Sequence, residues 1–363
     1  MDWQFYHWHL ELSSRCTLLC PRCPRTEHPD IPWINKDMTL SFVQSFLDNN
    51  MLKKVKRITL CGDVGDPIYC KDFLKICRYF KECNPKIHLY IITNGSHKKE
   101  TWWNELATIL NEYDTINFSI DGFDQESNNL YRKNSNFESI IQGIKTIRNN
   151  KLVFINWATI VFKFNEDKLL DMQEYAKSLG CDGFQITKST KFGSKYGDAY
   201  FGSADPLEPS LKNISSSHRY ERQLINLSGR SLDNEDYLKT NAAFFESIKN
   251  KFTDSPIIPM CLIGNRGLYV NAEGTLFPCS WTSFPYKELQ FEDKTIQWSD
   301  SFFAKNKKLF NLNYYSIDDI LSNPVWKNLY DNFTSRNKSW VECLQKCNNK
   351  IVNYEYAVGY ETN

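Results

Sequence analysis

Three cysteines spaced C-x₃-C-x₂-C carry the clearest chemical signal in this sequence. Cys16, Cys20 and Cys23 lie within a stretch of eight residues, just after the strand-like run 8–12. A structural zinc site would need a fourth ligand close by. A four-iron cluster needs one ligand per iron, so three thiolates leave one iron open to a substrate or cofactor. The spacing therefore indicates an iron–sulfur cluster with an open iron, and leaves a zinc site or three unrelated thiols as alternatives.

A second group of cysteines lies in the last third of the chain. Cys261 and Cys279 bracket a predicted β-hairpin, whose turn contains Gly274, while Cys343 and Cys347 are about one helical turn apart. Four thiols can close either a four-iron cluster or a zinc site. The sequence therefore predicts a second metal centre whose ligands all come from the protein.

Composition excludes several classes of protein. The chain has 363 residues, of which 41% are hydrophobic, and a formal net charge of +1, which predicts a globular protein with one large core and a smaller domain. The balanced charge predicts no nucleic-acid partner, and the lack of a polybasic tail or a long apolar run predicts no membrane partner. Twelve cysteines without a visible secretory signal favour a reducing compartment. We therefore expect a cytoplasmic protein.

Strands and helices alternate through the first half of the chain. The predicted strands are 8–13, 56–61, 88–93, 115–120, 153–161 and 183–188. The predicted helices between them are 39–52, 70–83, 98–112, 134–150 and 166–179. This alternation predicts an α/β fold of parallel strands, either a partial barrel or a doubly wound sheet. Further helices are predicted near 234–250 and 316–334.

One face of several predicted strands is polar. In the fourth strand, Asn117, Ser119 and Asp121 alternate with apolar residues, and the first and sixth strands show the same alternation. Parallel strands covered on both faces normally read as continuous apolar runs. The polar face therefore indicates a lumen that holds a polar ligand, with an amphipathic antiparallel sheet as the alternative.

A glycine-rich loop follows the second predicted strand. It reads Cys61-Gly62-Asp63-Val64-Gly65-Asp66-Pro67. Two glycines let a backbone approach a ligand closely, and the acidic residue before proline is held in an extended conformation. An ordinary turn between a strand and a helix explains the loop equally well when it is taken alone.

Taken together, the three-cysteine loop, the GxxGDP loop and the alternating elements resemble radical S-adenosylmethionine (radical SAM) enzymes. The resemblance implies a partial (β/α)₆ barrel of the TIM type and a [4Fe–4S] cluster whose open iron binds the amino and carboxyl groups of SAM. It also implies reductive cleavage of SAM to a 5′-deoxyadenosyl radical that abstracts hydrogen from a substrate. An electron donor such as flavodoxin or ferredoxin would reduce the cluster.

The resemblance also assigns roles to residues at the ends of the predicted strands. The residues that it implies for SAM binding are Gly62, Gly65, Asp66, Asn94, Ser119, Asp121, Thr159 and Gln185 or Thr187. Arg22 departs from the family loop, which often has an aromatic residue at this position; a guanidinium can also stack on a purine.

Three other polar residues are candidates for catalysis because strand parity places them on the lumen side. They are Cys61, Glu11 and His9, which could orient a substrate, donate hydrogen or take a proton. For the latter two, a structural pair in the barrel core is an equally good interpretation. The remaining cysteines, Cys70, Cys77, Cys83 and Cys181, fit no ligand spacing.

The C-terminal cysteines resemble the twitch domain, the short form of the SPASM domain that holds one auxiliary [4Fe–4S] cluster. The chain would then comprise a barrel (1–192), a bridging segment (193–258) and a twitch domain (259–363). Relatives with such a domain most often modify a peptide or protein side chain, and some oxidise an alcohol or an amino sugar. With only fifteen residues before Cys16, no leader-recognition domain is expected there. A zinc-binding interaction protein is the alternative that is not an enzyme.

Overall fold

In the computed structural model, parallel strands alternate with helices through the first half of the chain. The structure describes residues 6–150, 152–188, 207, 209–210, 213, 221–248, 261, 268–283, 288–290, 295–297, 305–333 and 347. They fall into two compact units. The first unit takes its described residues from 1–14, 36–88 and 235–359, and the second takes them from 15–35 and 89–234.

The elements follow in chain order, with short 3₁₀ turns left unlabelled. The strands are β1 (His7–Leu10), β2 (Arg57–Leu60), β3 (His88–Thr93), β4 (Thr115–Ser119), β5 (Phe154–Ile160), β6 (Gly183–Lys188), β7 (Glu221–Asn226), β8 (Leu268–Val270), β9 (Leu276–Phe277), β10 (Glu288–Gln290) and β11 (Thr295–Gln297). The helices are α1 (Pro24–Glu27), α2 (Leu40–Phe46), α3 (Asn49–Leu52), α4 (Phe73–Cys83), α5 (Glu100–Ile109), α6 (Gln125–Tyr131), α7 (Phe137–Arg148), α8 (Leu169–Ser178), α9 (Glu235–Ile248), α10 (Ile317–Ser322) and α11 (Pro324–Phe333).

In the first unit, β1 is the central strand. It pairs in parallel with β2 on one side and with β8 on the other, and β8 continues into the antiparallel strand β9. The predicted hairpin is thereby confirmed. Its parallel pairing with β1 was not expected from the sequence, because residues far apart in the chain make it.

In the second unit, the strands β3, β4, β5 and β6 pair in parallel, each with the next. The strand β7 adds an antiparallel edge to β6. Parallel strands joined by helices confirm the predicted α/β class.

The helices pack through apolar residues that recur with the period of a helix. In α4, Phe73, Ile76, Cys77 and Phe80 are completely buried, at spacings that place them on one face. Cys77 is therefore a packed apolar side chain, as its position in the pattern suggested. None of the helices in the described part of the chain is long and apolar enough to cross a membrane.

Candidate active site

Hydrogen bonds from distant segments hold the three-cysteine loop, which belongs to the second unit. The Leu19 N–H donates to the Lys133 carbonyl at 3.0 Å, and the side-chain amide of Asn134 donates to the Thr17 carbonyl at 2.7 Å. Asn134 adopts a positive φ of 67°, which asparagine tolerates better than most residues. The short segment after α6 therefore fixes the backbone between the first two cysteines.

The walls around the cysteines are mainly apolar. Cys20 is buried with Leu18, Tyr131, Phe162 and Leu207. Cys16, Cys23, Ile160 and Phe164 pack against this cluster. Burial raises the pKa of the Cys20 thiol to about 11, and the nearby Arg132 guanidinium opposes that rise. A thiolate at this position is stable only when a positive charge or a metal compensates it.

Two polar groups approach the cysteine sulfurs. The amide of Asn94, which follows β3, lies 3.7 Å from Cys16 Sγ, and the charge of Arg132 lowers the pKa of the Cys20 thiol against the effect of burial. Hydrogen bonds to cysteine sulfurs are among the features that tune iron–sulfur clusters. Asn94 was predicted as a SAM contact, and the structure adds this contact with the cysteine loop.

The donor set fits an iron–sulfur cluster. Among the described residues, no three His, Cys, Asp or Glu side chains are grouped as the ligands of a metal ion would be. A four-iron cluster makes a different demand, because each thiolate binds its own iron and the sulfurs stay apart. Cys16, Cys20 and Cys23 would hold such a cluster, which would supply one-electron chemistry.

The polar residues at the ends of the second unit's strands are mostly buried. Asn94, Asp121, Thr159 and Gln185 are each less than a tenth exposed, and Ser119 is partly exposed at the end of β4. The carboxylate of Asp121 accepts from Arg132 Nε at 2.5 Å and from the Ile160 N–H at 2.7 Å. Both of its oxygens therefore have partners within the protein, and its contact with a SAM ribose stays a prediction.

In the first unit, Glu11 holds the glycine-rich loop. Its Oε1 accepts the N–H groups of Val64 at 3.0 Å and Gly65 at 3.3 Å, and its Oε2 accepts the Ala272 N–H at 3.3 Å. Burial raises the pKa of Glu11, and these hydrogen bonds oppose the rise. Because the Glu11 carboxylate accepts three backbone N–H groups, it positions the loops to which they belong. Its predicted role in catalysis stays a prediction.

The loop itself is packed so tightly that its glycines are required. A Cβ on Gly65 would overlap the Ser13 carbonyl, and one on Gly62 would overlap the Gly65 carbonyl. Asp66 caps the 3₁₀ turn that follows, because its Oδ1 accepts the Ile68 N–H at 3.2 Å. The contact of Asp66 with SAM stays a prediction.

Around the Glu11 carboxylate, the first unit gathers several other titratable groups. His9 Nε2 lies 2.9 Å from the Cys61 carbonyl, and the His9 ring makes an edge contact with Tyr269 at 4.8 Å. Tyr269 is fully buried, and burial together with Asp63 and Glu11 raises its pKa well above the ordinary value. Tyr269 was missed from the sequence because only the pairing of β8 with β1 brings it here.

The structure describes three of the four C-terminal cysteines. Cys261 and Cys279 are partly buried and Cys347 is buried, whereas Cys343 lies outside the described residues. Cys279 follows the β8–β9 hairpin, as predicted. The second metal centre stays a prediction.

Comparison with known proteins gives results at three levels. Residues 10–176 match the Radical SAM superfamily. The GTP 3′,8-cyclase of Campylobacter jejuni (strain RM1221) is 26% identical over 279 residues, covering 74% of this chain and 78% of that protein. The GTP 3′,8-cyclase of Limosilactobacillus fermentum is 26% identical over 174 residues, and the match spans 49% of that protein.

A solved structure shows the same fold. Streptococcus suis SuiB bound to S-adenosylmethionine has a TM-score of 0.50 and 12% identity, covering 90% of this chain and 68% of that chain. Residues 10–176 contain the three-cysteine loop, the glycine-rich loop and the strand-end residues Asn94, Ser119, Asp121 and Thr159. Residues 10–176 of this chain therefore match the radical SAM domain, a type of domain whose cofactors are a [4Fe–4S] cluster and S-adenosylmethionine.

Proposed function

We propose that this chain is an enzyme that cleaves SAM reductively and removes hydrogen from a C–H bond of its substrate. The observation that carries the proposal is the three-cysteine loop, whose Cys20 is buried and whose backbone is held by Lys133 and Asn134 inside the residues that match the radical SAM domain. The cluster, when bound, supplies the electron that cleaves SAM. The protein positions the cluster, SAM and the substrate, and it keeps water away from the radical.

We propose that Asp66, Ser119 and Asn94 contact SAM, since each lies at or just after the carboxyl end of a strand. Ligands of α/β proteins bind at that end. Arg22 is our candidate for stacking on the adenine, in place of the usual aromatic residue.

As substrate we propose a peptide or protein side chain. The support is the resemblance of Cys261, Cys279, Cys343 and Cys347 to the ligands of a twitch domain, and we propose an auxiliary [4Fe–4S] cluster at these residues. A closed cluster of this kind transfers electrons but offers no iron to the substrate.

The names of the sequence relatives favour a second candidate substrate. Both reported relatives are GTP 3′,8-cyclases, so a nucleoside triphosphate is the alternative substrate class. If GTP were the substrate, adding it would accelerate formation of 5′-deoxyadenosine and consume GTP. A rate that GTP leaves unchanged would favour the peptide class.

The experiment that tests the function is reductive SAM cleavage by the anaerobically reconstituted chain. We expect 5′-deoxyadenosine from the parent and from Cys83→Ala, a control thiol on α4 outside both cysteine groups. The triple variant Cys16→Ala/Cys20→Ala/Cys23→Ala should form none. If the triple variant forms 5′-deoxyadenosine at the parent's rate, the assignment of the loop is wrong.

A further inference from the structure

A side-chain amide faces the first sulfur of the cysteine loop. Asn94, the residue after β3, is 5% exposed, and its Nδ2 donates to Cys16 Sγ at 3.7 Å. Sulfur is larger than oxygen and a weak acceptor, so a hydrogen bond to it is longer than one to oxygen. Both residues belong to the second unit, so the contact lies within one compact body.

The orientation of this amide is fixed by its oxygen atom. Asn94 Oδ1 accepts the Ser96 N–H at 2.9 Å, which closes an Asx turn. Because the oxygen is committed to a backbone donor, the NH₂ group is the end of the amide that faces Cys16. A flipped amide would lose the hydrogen bond with Ser96, so the turn keeps a donor directed at the sulfur.

The turn itself is rigid. The Gly95 N–H donates to Thr93 Oγ1 at 3.0 Å, and Gly95 has a positive φ of 69°. A Cβ on Gly95 would come within 2.8 Å of the Phe118 ring. Ser96 is fully buried, and its Oγ accepts the Asn136 N–H at 3.3 Å, just before α7. The amide donor is therefore preorganised at this position.

We propose that Asn94 raises the reduction potential of the cluster bound at Cys16 by donating a hydrogen bond to that cysteine sulfur. The inference rests on the proposed function, because it requires a cluster on Cys16, Cys20 and Cys23. One-electron reduction by a low-potential donor adds one negative charge to the cluster and makes its sulfurs better acceptors. A fixed N–H donor therefore stabilises the reduced cluster more than the oxidised one. The second hydrogen of the amide leaves room for the SAM contact proposed above.

The test is a redox titration of the cluster without SAM, followed by electron paramagnetic resonance, with dithionite and mediator dyes as the reductant. In Asn94→Ser, the hydroxyl can still accept the Ser96 N–H, but the shorter side chain withdraws the donor from Cys16. We expect a more negative potential, with the ratio of reduced to oxidised cluster about two- to tenfold lower at a fixed solution potential, the effect of one hydrogen bond. Asn94→Asp keeps the volume and the contact with Ser96 but directs a carboxylate oxygen at the sulfur, so its potential should be lower still.

The matched control is Asn150, which makes the same kind of turn elsewhere in the second unit. Its Oδ1 accepts the Leu152 N–H at 3.1 Å. Its amide donates to the carbonyls of Ala107 and Leu110 at 2.7 and 2.9 Å, and not to a cysteine of the cluster loop. Asn150→Ser and Asn150→Asp should titrate like the parent. Shifts equal to those of the Asn94 variants would overturn the proposal, because the effect would then be general to lost Asx turns.

Unchanged potentials in both Asn94 variants would also overturn the proposal, and a change in SAM affinity alone would leave Asn94 as a SAM contact only. If Asn94→Ser assembles no cluster, Asn94→Asp decides, and a potential equal to or above that of the parent overturns the proposal. A measurement on the parent needs no variant. With asparagine carrying an isotope-labelled side-chain nitrogen, pulsed electron paramagnetic resonance of the reduced cluster without SAM should detect a coupling to that nitrogen, and no coupling would overturn the contact.

The proposed function fails in a different way. A parent that holds the cluster but forms no 5′-deoxyadenosine from SAM would refute the function and leave the comparison of potentials valid. A parent that binds no cluster would refute both.

Discussion

At the scale of single residues, most of the residues predicted to bind the cluster and SAM lie on two loops. Residues distant in sequence hold each loop in place. Glu11 holds the glycine-rich loop through backbone N–H groups, and Lys133 and Asn134 hold the cysteine loop. These contacts position the residues that we propose as ligand contacts, so changes in them should affect the affinity for SAM before they affect the metal content.

The first prediction concerns Glu11. Glu11→Gln replaces one carboxylate oxygen by an NH₂ group, which then faces the N–H of either Ala272 or Val64. The loop on that side loses its hydrogen-bond acceptor. We expect the dissociation constant for SAM to rise about tenfold, the effect of losing a hydrogen bond to a charged group, while the iron content stays normal. Equilibrium binding of SAM measures this.

The matched control is Glu273→Gln, which makes the same chemical change at a partly exposed residue of the hairpin turn. Its affinity for SAM should equal that of the parent. An unchanged affinity in Glu11→Gln would mean that the glycine-rich loop keeps its conformation without the carboxylate.

The cysteine loop and the glycine loop could be predicted from the sequence because their residues are adjacent in the chain. Arg132 could not, because more than a hundred residues separate it from Cys20. A sequence signal for α6, the helix that ends just before Arg132, was present. Asp124 and Ser127 form a capping box at the start of α6, and this pattern marks the beginning of a helix.

At the scale of elements, the predicted strands of the first half are confirmed, with ends that differ by a few residues. The predicted helix 39–52 is two helices, because the Asp48 side chain accepts the Met51 N–H and begins a new one. The predicted helix 316–334 is also divided, before Pro324, whose ring cannot continue the preceding helix.

The edge strand β7 was not predicted. Its sequence, Glu-Arg-Gln-Leu-Ile-Asn, lacks the alternation that marks a strand with one buried face. It forms because β6 offers a free edge, and pairing of that edge depends on the tertiary fold. The same reason explains why the parallel pairing of β8 with β1 was missed.

The second prediction concerns His88, the first residue of β3. It is fully buried, and burial together with Arg57, Lys81 and His7 lowers its pKa well below the ordinary value. The unfolded chain takes up a proton at the ordinary pKa of about 6.5, but the folded chain does not. The uncharged, buried His88 therefore costs no stability above that pH. As the pH falls below it, the free energy of unfolding decreases by up to about 1.4 kcal/mol per pH unit.

His88→Gln removes this contribution. We expect the loss of unfolding free energy between pH 7.5 and 5.5, measured with urea, to be smaller in the variant than in the parent. His28→Gln, at a partly exposed site, serves as the control and should behave like the parent. A loss as large in His88→Gln as in the parent would show that His88 does not contribute to acid sensitivity.

At the scale of the whole molecule, the two cysteine groups lie in different compact units. Cys16, Cys20 and Cys23 belong to the second unit, and Cys261, Cys279 and Cys347 belong to the first. The domain boundaries predicted from the sequence remain a prediction. The composition of the chain could indicate its class, but the division into two units depends on contacts between segments that are distant in sequence.

The third prediction concerns metal content. If both cysteine groups hold four-iron clusters, the anaerobic protein should contain about eight iron and eight sulfide per chain. Cys279→Ala should lose about half of the iron and keep SAM cleavage, because the first group is unchanged. Stoichiometric zinc without iron–sulfur absorbance would contradict the proposed function and favour a zinc-binding protein.

The most direct test of the central claim is whether SAM binds the open iron of the cluster on Cys16, Cys20 and Cys23. The measurement is the electron paramagnetic resonance spectrum of the dithionite-reduced Cys279→Ala variant, recorded with and without SAM. Because three thiolates leave one iron to bind the cofactor, we predict that excess SAM changes the spectrum of the reduced cluster. A fully loaded and reduced cluster whose spectrum is identical with and without SAM would contradict the account.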